Sequence, residues 1–203
     1  MNTHYKVKGH ALDLCNSFGF LFPGELFLIQ ALVQSLPEDA TVVQIGAGVG
    51  TASLGMVEMR PSVHAFTVDI SEGGPFGGLE NERNAFRNTG LKLPKQILGD
   101  SQKVWARWAD GPIDLLFIDA DHDLPGVHID TEKWTPLIRV GGYALFHDYS
   151  SNNWPKVAAT VDELMIAPEW ERVLLVDTLI AFRKLASSTE VAPPIRKVRK
   201  AKK

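Results

Sequence analysis

The run Val42-Val43-Gln44-Ile45-Gly46-Ala47-Gly48-Val49-Gly50, followed by a second apolar run that ends at Asp69, restricts this chain to few folds. Val42, Val43 and Ile45 are β-branched and bounded by turn residues, so they read as a buried strand. That strand breaks into three closely spaced glycines, which permit positive φ and close approach of backbone to a ligand. Asp69 falls where a second parallel strand would end, placed to accept hydrogen bonds from two ribose hydroxyls. Together these features describe the front half of a nucleoside-cofactor site. The spacing narrows it further. Thr51 stands where a dinucleotide fingerprint carries its third glycine, and no Gly-Lys-Ser/Thr ending is present, which excludes a P-loop. A glycine-rich turn that binds nothing is the bland alternative, and the rest of the chain must decide against it.

Hydrophobic periodicity predicts alternating elements. A lead-in over 1–22, irregular or helical, is followed by helix 25–36, strand 41–46, helix 51–59 and strand 63–69. The segment 71–84 holds four glycines and a proline and reads as a loop before a helix over 79–88. Strand 95–99, helix 102–108 and the very apolar strand 113–120 come next. Helix 127–138 and a Gly141-Gly142 turn lead into strand 143–148, then helix 155–165 and two strands near 171–177 and 178–184. Strands alternating with helices imply an α/β, doubly wound, mostly parallel sheet covered on both faces. In such sheets ligands bind beyond the carboxyl ends of the strands. Asp69, Asp100, Asp119 with Asp121, and His147 with Asp148 each end a predicted strand or follow one. Any single aspartate there is a helix cap or turn residue on ordinary grounds. Several at one edge repel each other and call for a ligand or cation to offset the repulsion.

A chain of 203 residues with 45% hydrophobic and 22% charged residues can bury one substantial core. The lone cysteine, Cys15, cannot form an internal disulfide and reads as a small buried hydrophobe. No apolar run is long enough to span a bilayer, so the expectation is a soluble, cytoplasmic protein without a membrane partner. The net charge of −3 is uneven: from Ser187 onward the chain carries +5, leaving the body near −8. This tail, with Pro193-Pro194 and six basic residues, reads as disordered. Its partner would be acidic or a nucleic acid, and a solubilising end is the simpler reading.

With these pieces in order, the sequence resembles the class I S-adenosylmethionine-dependent methyltransferases. Within them it is most similar to the small O-methyltransferases of the catechol and caffeoyl-CoA type and to the methyltransferase 24 group. The blocks that carry the resemblance are VVQIGAGVGTASL, FTVDI, ILGDSQKVW, IDLLFIDADHD, LIRVGGYALFHDY and VDTLIAFRK. The resemblance implies a Rossmann-like sheet of seven strands with the last antiparallel. It implies S-adenosylmethionine as cofactor: Gly46, Gly48 and Gly50 beside its methionine part, Asp69 on the ribose, Asp100, Ser101 and Gln102 at the adenine, and Asp119 beside the methyl group. In the catechol-type relatives a magnesium ion sits on aspartates matched here by Asp119 and Asp148, so Mg²⁺ or a similar cation is a candidate cofactor. The third ligand position is Tyr149 here, and His147 or Asp121 are its possible replacements. Without metal, His122 or His147 would be the base, since imidazole titrates near neutral pH; Asp148 completes the candidate catalytic set. Gln44 replaces an acid common in relatives, which would loosen that corner. The GGPFGG stretch after Asp69 is either a lid or slack.

The expected domains are a lead-in over 1–24, a methyltransferase domain over 25–186 and the basic tail over 187–203. The expected reaction is O-methylation of a small-molecule hydroxyl, with the oligomeric state open and a homodimer one option. Three alternatives stand beside it: a nucleic-acid or protein methyltransferase guided by the tail, a non-catalytic binding or interaction protein on the same fold, and an NAD-linked oxidoreductase. The absence of an Asn/Asp-Pro-Pro-Tyr/Phe run after the fourth strand argues against methylation of a base amino group. Thr51 argues against NAD. Among the five tryptophans, Trp154 is the one expected nearest the strand-five end, where an acceptor would bind.

Overall fold

The computed structural model describes residues 9–186; the basic tail lies outside the described residues. Helices α1 (His10–Phe18) and α2 (Pro23–Ser35) precede strand β1 (Thr41–Ile45), helix α3 (Thr51–Met59) and strand β2 (His64–Asp69). Then come α4 (Leu79–Phe86), β3 (Lys95–Leu98), α5 (Ser101–Val104), β4 (Ile113–Ile118), α6 (Gly126–Trp134), β5 (Ile138–Phe146), α7 (Pro155–Met165), β6 (Trp170–Val176) and β7 (Leu179–Lys184). The seven strands form one sheet in the order β3-β2-β1-β4-β5-β7-β6. Pairings from β3 through β5 are parallel, whereas β7 runs antiparallel to both β5 and β6. The expected doubly wound sheet is therefore present, with its reversal of strand order between β1 and β4.

Alternation along the strands explains why both faces are covered. Val42, Leu115, Phe117 and Leu145 pack with α1, α2 and α3 on one face. Their neighbours Val43, Ile45, Leu116 and Ile118 pack with α6 and α7 on the other. A central strand buried on both faces must be apolar throughout, as IDLLFI nearly is. Its exception, Asp114, pairs with Arg139 and accepts from the Thr41 amide at 2.8 Å. Helix α1 joins this core through Ala11 and Cys15, and its first amides donate to Glu58 of α3. Burial, with Glu25 nearby, pushes the Cys15 thiol up to about 11, so it stays a protonated hydrophobe at neutral pH.

Three elements differ from expectation. Gly141-Gly142 does not turn the chain but lies inside β5, where the pairing with β4 shifts register. A Cβ on Gly142 would meet the Asp114 carbonyl at 2.9 Å and Ile138 at 2.7 Å, and Gly141 has φ +84°. The pair is thus a bulge that lets β5 start earlier, at Ile138. Helix α6 stops at Trp134 and tightens into a 3₁₀ turn over Thr135–Leu137, because Pro136 has no amide to continue an α-helix. Similarly, α5 gives way to a 3₁₀ turn over Trp105–Arg107. Among the described residues no helix is long and apolar enough to cross a membrane.

Candidate functional site

The glycine turn follows β1 as expected, and its geometry is demanding. Gly46, Gly48 and Gly50 all have positive φ, at +90°, +52° and +87°. A Cβ on Gly46 would lie 1.9 Å from the Asp119 carbonyl oxygen, and one on Gly50 would lie 2.9 Å from Glu82 Cα. Gly48 has open space instead. The turn therefore wedges between the end of β4 and helix α4, with Gly48 the one of the three whose missing side chain faces open space. At this corner the buried amide Nε2 of Gln44 donates to the carbonyls of Gly46 and Ala47, which a carboxylate could not do, while its Oε1 is left without a partner among the described residues.

Asp69 ends β2, half-buried, with Oδ2 accepting from the Ala47 amide at 2.6 Å and Oδ1 from Ser71 at 2.7 Å. Each oxygen keeps a further lone pair for a ligand hydroxyl. Asp100 is the N-cap of α5, accepting from the Gln102 amide at 3.0 Å, and Lys103 at 2.8 Å holds its carboxyl below the usual range. Ser101 and Gln102 are half-buried at the same edge, their carbonyls accepting from the Trp134 and Trp105 indoles. Behind Ser101 lies Asp130 of α6, 1% exposed, whose oxygens have no well-directed hydrogen-bond partner. Burial pushes its carboxyl up to about 6, Asp121 and Asp100 add to the rise, and the Ser101 hydroxyl opposes it.

This makes a testable stability statement. A carboxyl raised from 3.8 to about 6 contributes stability below pH 4 that is lost as pH rises through 6. Asp130→Asn removes the buried charge, so at pH 8 it should stabilise the fold by about 1–3 kcal/mol, allowing for a partly unsatisfied amide. The gain should fade by pH 4. Chemical denaturation at both pH values checks this, and a variant less stable than wild type at pH 8 would refute it.

The carboxyl ends of β4 and β5 hold the densest chemistry. Asp119 and Asp148 lie beside two histidines: His122 Nε2 is 3.5 Å from Asp119 and 3.0 Å from Asp148, and His147 Nδ1 is 3.4 Å and 3.3 Å from the same carboxylates. His147 is only 6% exposed, and its other nitrogen donates to Glu25 of α2 at 3.0 Å. Glu25 is fully buried and also accepts from the Phe22 amide, the Thr178 amide and the Thr178 hydroxyl. The acids flanking them overcome desolvation and raise His122 to about 9 and His147 to about 12. Conversely, the imidazoles hold Asp119 far below the usual range and Asp148 at about 2, against the upward push of burial. Each imidazole and the carboxylates beside it thus favour one another's charged forms.

Three groups converge closely enough to hold a cation: Asp119, His122 and Asp148, with one ligand atom each within 4.8 Å of the others. Tyr149 is turned away, its hydroxyl donating to Asp162 at 2.8 Å. Asp121 is also turned away, its Oδ1 accepting from the Asp123 amide at 3.0 Å and Oδ2 against Gly126. His147 is committed to Glu25 on one side. Of the two residues expected at the third ligand position, Asp121 is not brought in, and His147 faces both aspartates through Nδ1; His122, expected only as a base, joins the two aspartates in the close cluster. Asp148 sits in the left-handed region at φ +58°, a strained conformation for a residue with a side chain. Above the cluster, Trp154 stacks on His122 with ring centroids 4.7 Å apart and 39% of its surface exposed.

Sequence reasoning missed Glu25 and Glu82. Glu25 reads as an ordinary first-turn acid, and its partner His147 is 122 residues away. Glu82 is fully buried behind the glycine turn, accepting from Thr67 and Gln96 at 2.7 Å each, and burial raises its carboxyl. Polar Thr67 and Gln96 at otherwise apolar strand positions were its only signal.

The sheet order, the glycine turn after β1, the carboxylate ending β2 and the polar edge beyond β4 and β5 define a class I S-adenosylmethionine-dependent methyltransferase. A family model described as a methyltransferase domain matches residues 43–149, just over half of the chain. The chain belongs to this methyltransferase 24 family. A Mycobacterium bovis protein named "Putative O-methyltransferase" is 32% identical over 120 residues, covering 57% of this chain and half the length of that relative. Among solved structures, the SAH-bound Podospora anserina methyltransferase PaMTH1 superposes with a TM-score of 0.70 at 16% identity, covering 91% of each chain. An rRNA methylase from Streptococcus thermophilus superposes with a TM-score of 0.59 at 15% identity, covering 79% of this chain and 97% of that one. The fold is thus shared with an rRNA methylase and does not by itself choose the acceptor.

Proposed function

We propose that this protein transfers a methyl group from S-adenosylmethionine to a hydroxyl of a small molecule, with a divalent cation assisting. The observation that carries the reading is the cluster of Asp119, His122 and Asp148 at the carboxyl edge, roofed by Trp154. The name of the mycobacterial relative points to the same reaction. Residues 25–186 would form the methyltransferase domain.

Bound S-adenosylmethionine supplies an already activated methyl on its sulfonium. The chain's task is then alignment and exclusion of water. The Gly46–Gly50 backbone would pass beside the methionine part, Asp69 would accept from the ribose hydroxyls, and Ser101 and Gln102 would meet the adenine edge. Asp119, His122 and Asp148 offer two hard oxygens and one imidazole nitrogen, a set compatible with a divalent cation. A cation held there would lower the pKa of an acceptor hydroxyl. Its binding requires His122 to give up its ring proton, so affinity should rise with pH. Trp154 offers a flat apolar wall for the acceptor.

Calorimetric titration with S-adenosylmethionine and with NAD tests the cofactor, and a panel of phenolic and catecholic acceptors assayed with Mg²⁺ or EDTA tests the rest. Micromolar binding of S-adenosylmethionine and EDTA-sensitive turnover are expected. NAD binding without S-adenosylmethionine binding would overturn the whole reading. Turnover indifferent to EDTA would overturn only the cation.

A further inference from the structure

The segment between Asp69 and α4 is neither slack nor loose. Ser71 Oγ accepts from the Gly73 amide and donates to its carbonyl; the Leu79 amide returns to Ser71 and the Glu80 amide to Glu72. Its far end is fastened across the cofactor turn, the Gly78 amide donating to the Gly48 carbonyl at 2.8 Å. Gly77, at φ +101°, presses so closely that a Cβ there would lie 2.0 Å from the same oxygen. The loop therefore bridges the two parts of the turn-and-carboxylate site, from Asp69 to Gly48. One residue before that clamp stands Phe76, 81% exposed, and one residue beyond Asp69 stands Ile70, 75% exposed. Both side chains stand largely uncovered at the two ends of a loop that joins Asp69 to Gly48. Phe76 is thus the neighbour in sequence of the residue that lies against Gly48 of the glycine turn.

We propose that Phe76 is a cofactor-binding residue, its ring covering the bound S-adenosyl group where the ribose meets the sulfur and shielding it from solvent. This rests on the S-adenosylmethionine reading of the site. Burial of a phenylalanine ring against a ligand corresponds to about tenfold or more in affinity. S-adenosylhomocysteine is the probe, titrated calorimetrically into wild type, Phe76→Ala and Phe76→Tyr, with Ile166→Ala as a control that removes an equally exposed side chain elsewhere (73% exposed). Phe76→Ala should raise Kd about tenfold with an unchanged melting temperature, while Phe76→Tyr and Ile166→Ala stay within about threefold of wild type. Wild-type binding with Phe76→Ala equally tight would overturn this proposal and leave the cofactor reading intact. Failure of wild type itself to bind would overturn both.

Discussion

Gly46→Ala should abolish binding of S-adenosylmethionine and lower the melting temperature by about 10 °C. The added methyl would lie 1.9 Å from the Asp119 carbonyl oxygen, so backbone meets backbone and no side chain can swing aside. Left-handed φ with a Cβ costs about 1–2 kcal/mol and overpacking about 1–3 kcal/mol more. For a domain of this size each 1 kcal/mol corresponds to about 2–4 °C. Relief would require β1 and β4 to part at their carboxyl ends, where Gly46 donates to Val68 and Asp119 donates to Ile45. The damage therefore reaches Asp119 as well as the cofactor turn. Gly48→Ala is the matching control. Gly48 has open space around its missing Cβ and a φ of +52° that L residues tolerate better. It should keep its melting temperature within a few degrees while still weakening cofactor binding. Thermal unfolding and calorimetry on both variants distinguish the cases, and a Gly46→Ala protein that melts and binds like wild type would refute the geometry.

Glu25→Ala should destabilise the protein by about 3–5 kcal/mol, because it leaves a buried imidazolium without its partner. Glu25 is fully buried, and His147 and two amides lose their acceptor with it. That is a large share of the roughly 5–15 kcal/mol that holds an ordinary domain folded. A double-mutant cycle with His147→Ala sharpens the test, since contacting residues are not additive. The double variant should be less destabilised than the sum of the singles, as neither charge is then stranded. Strict additivity in urea unfolding would mean that the pair does not interact. The consequence for the site is direct: α2, which lies outside the segment matched by the family model, anchors the histidine that faces Asp119 and Asp148.

These two residues mark how far the sequence can be read. Gly46 was legible because its constraint is local: three glycines after a β-branched run, and an acid one strand later, are a pattern in the chain itself. The alternating strands and helices were legible for the same reason, since each face of a central strand must be apolar. The Gly141-Gly142 bulge was misread as a turn, because the same glycines serve both, and only pairing with β4 distinguishes them. Glu25 could not be read at all. Its role exists only because the sheet order brings α2, the β5 end and the β6–β7 turn together.

The sequence by itself determined the order of elements and the carboxyl-edge placement of Asp69, Asp100, Asp119 and Asp148, since each follows from periodicity or from motif spacing along one strand end; the cofactor class was implied by the family resemblance of its motif blocks. Only the tertiary structure decided how those acids are balanced. The sequence implied mutual repulsion awaiting a ligand, whereas the fold sets two histidine rings beside Asp119 and Asp148 and a buried glutamate behind one of them. It also chose His122 over Tyr149 and Asp121 as the third group of the cluster. Charge pairing falls off over a few ångströms, and distances of that order between residues far apart in the chain are set by packing alone.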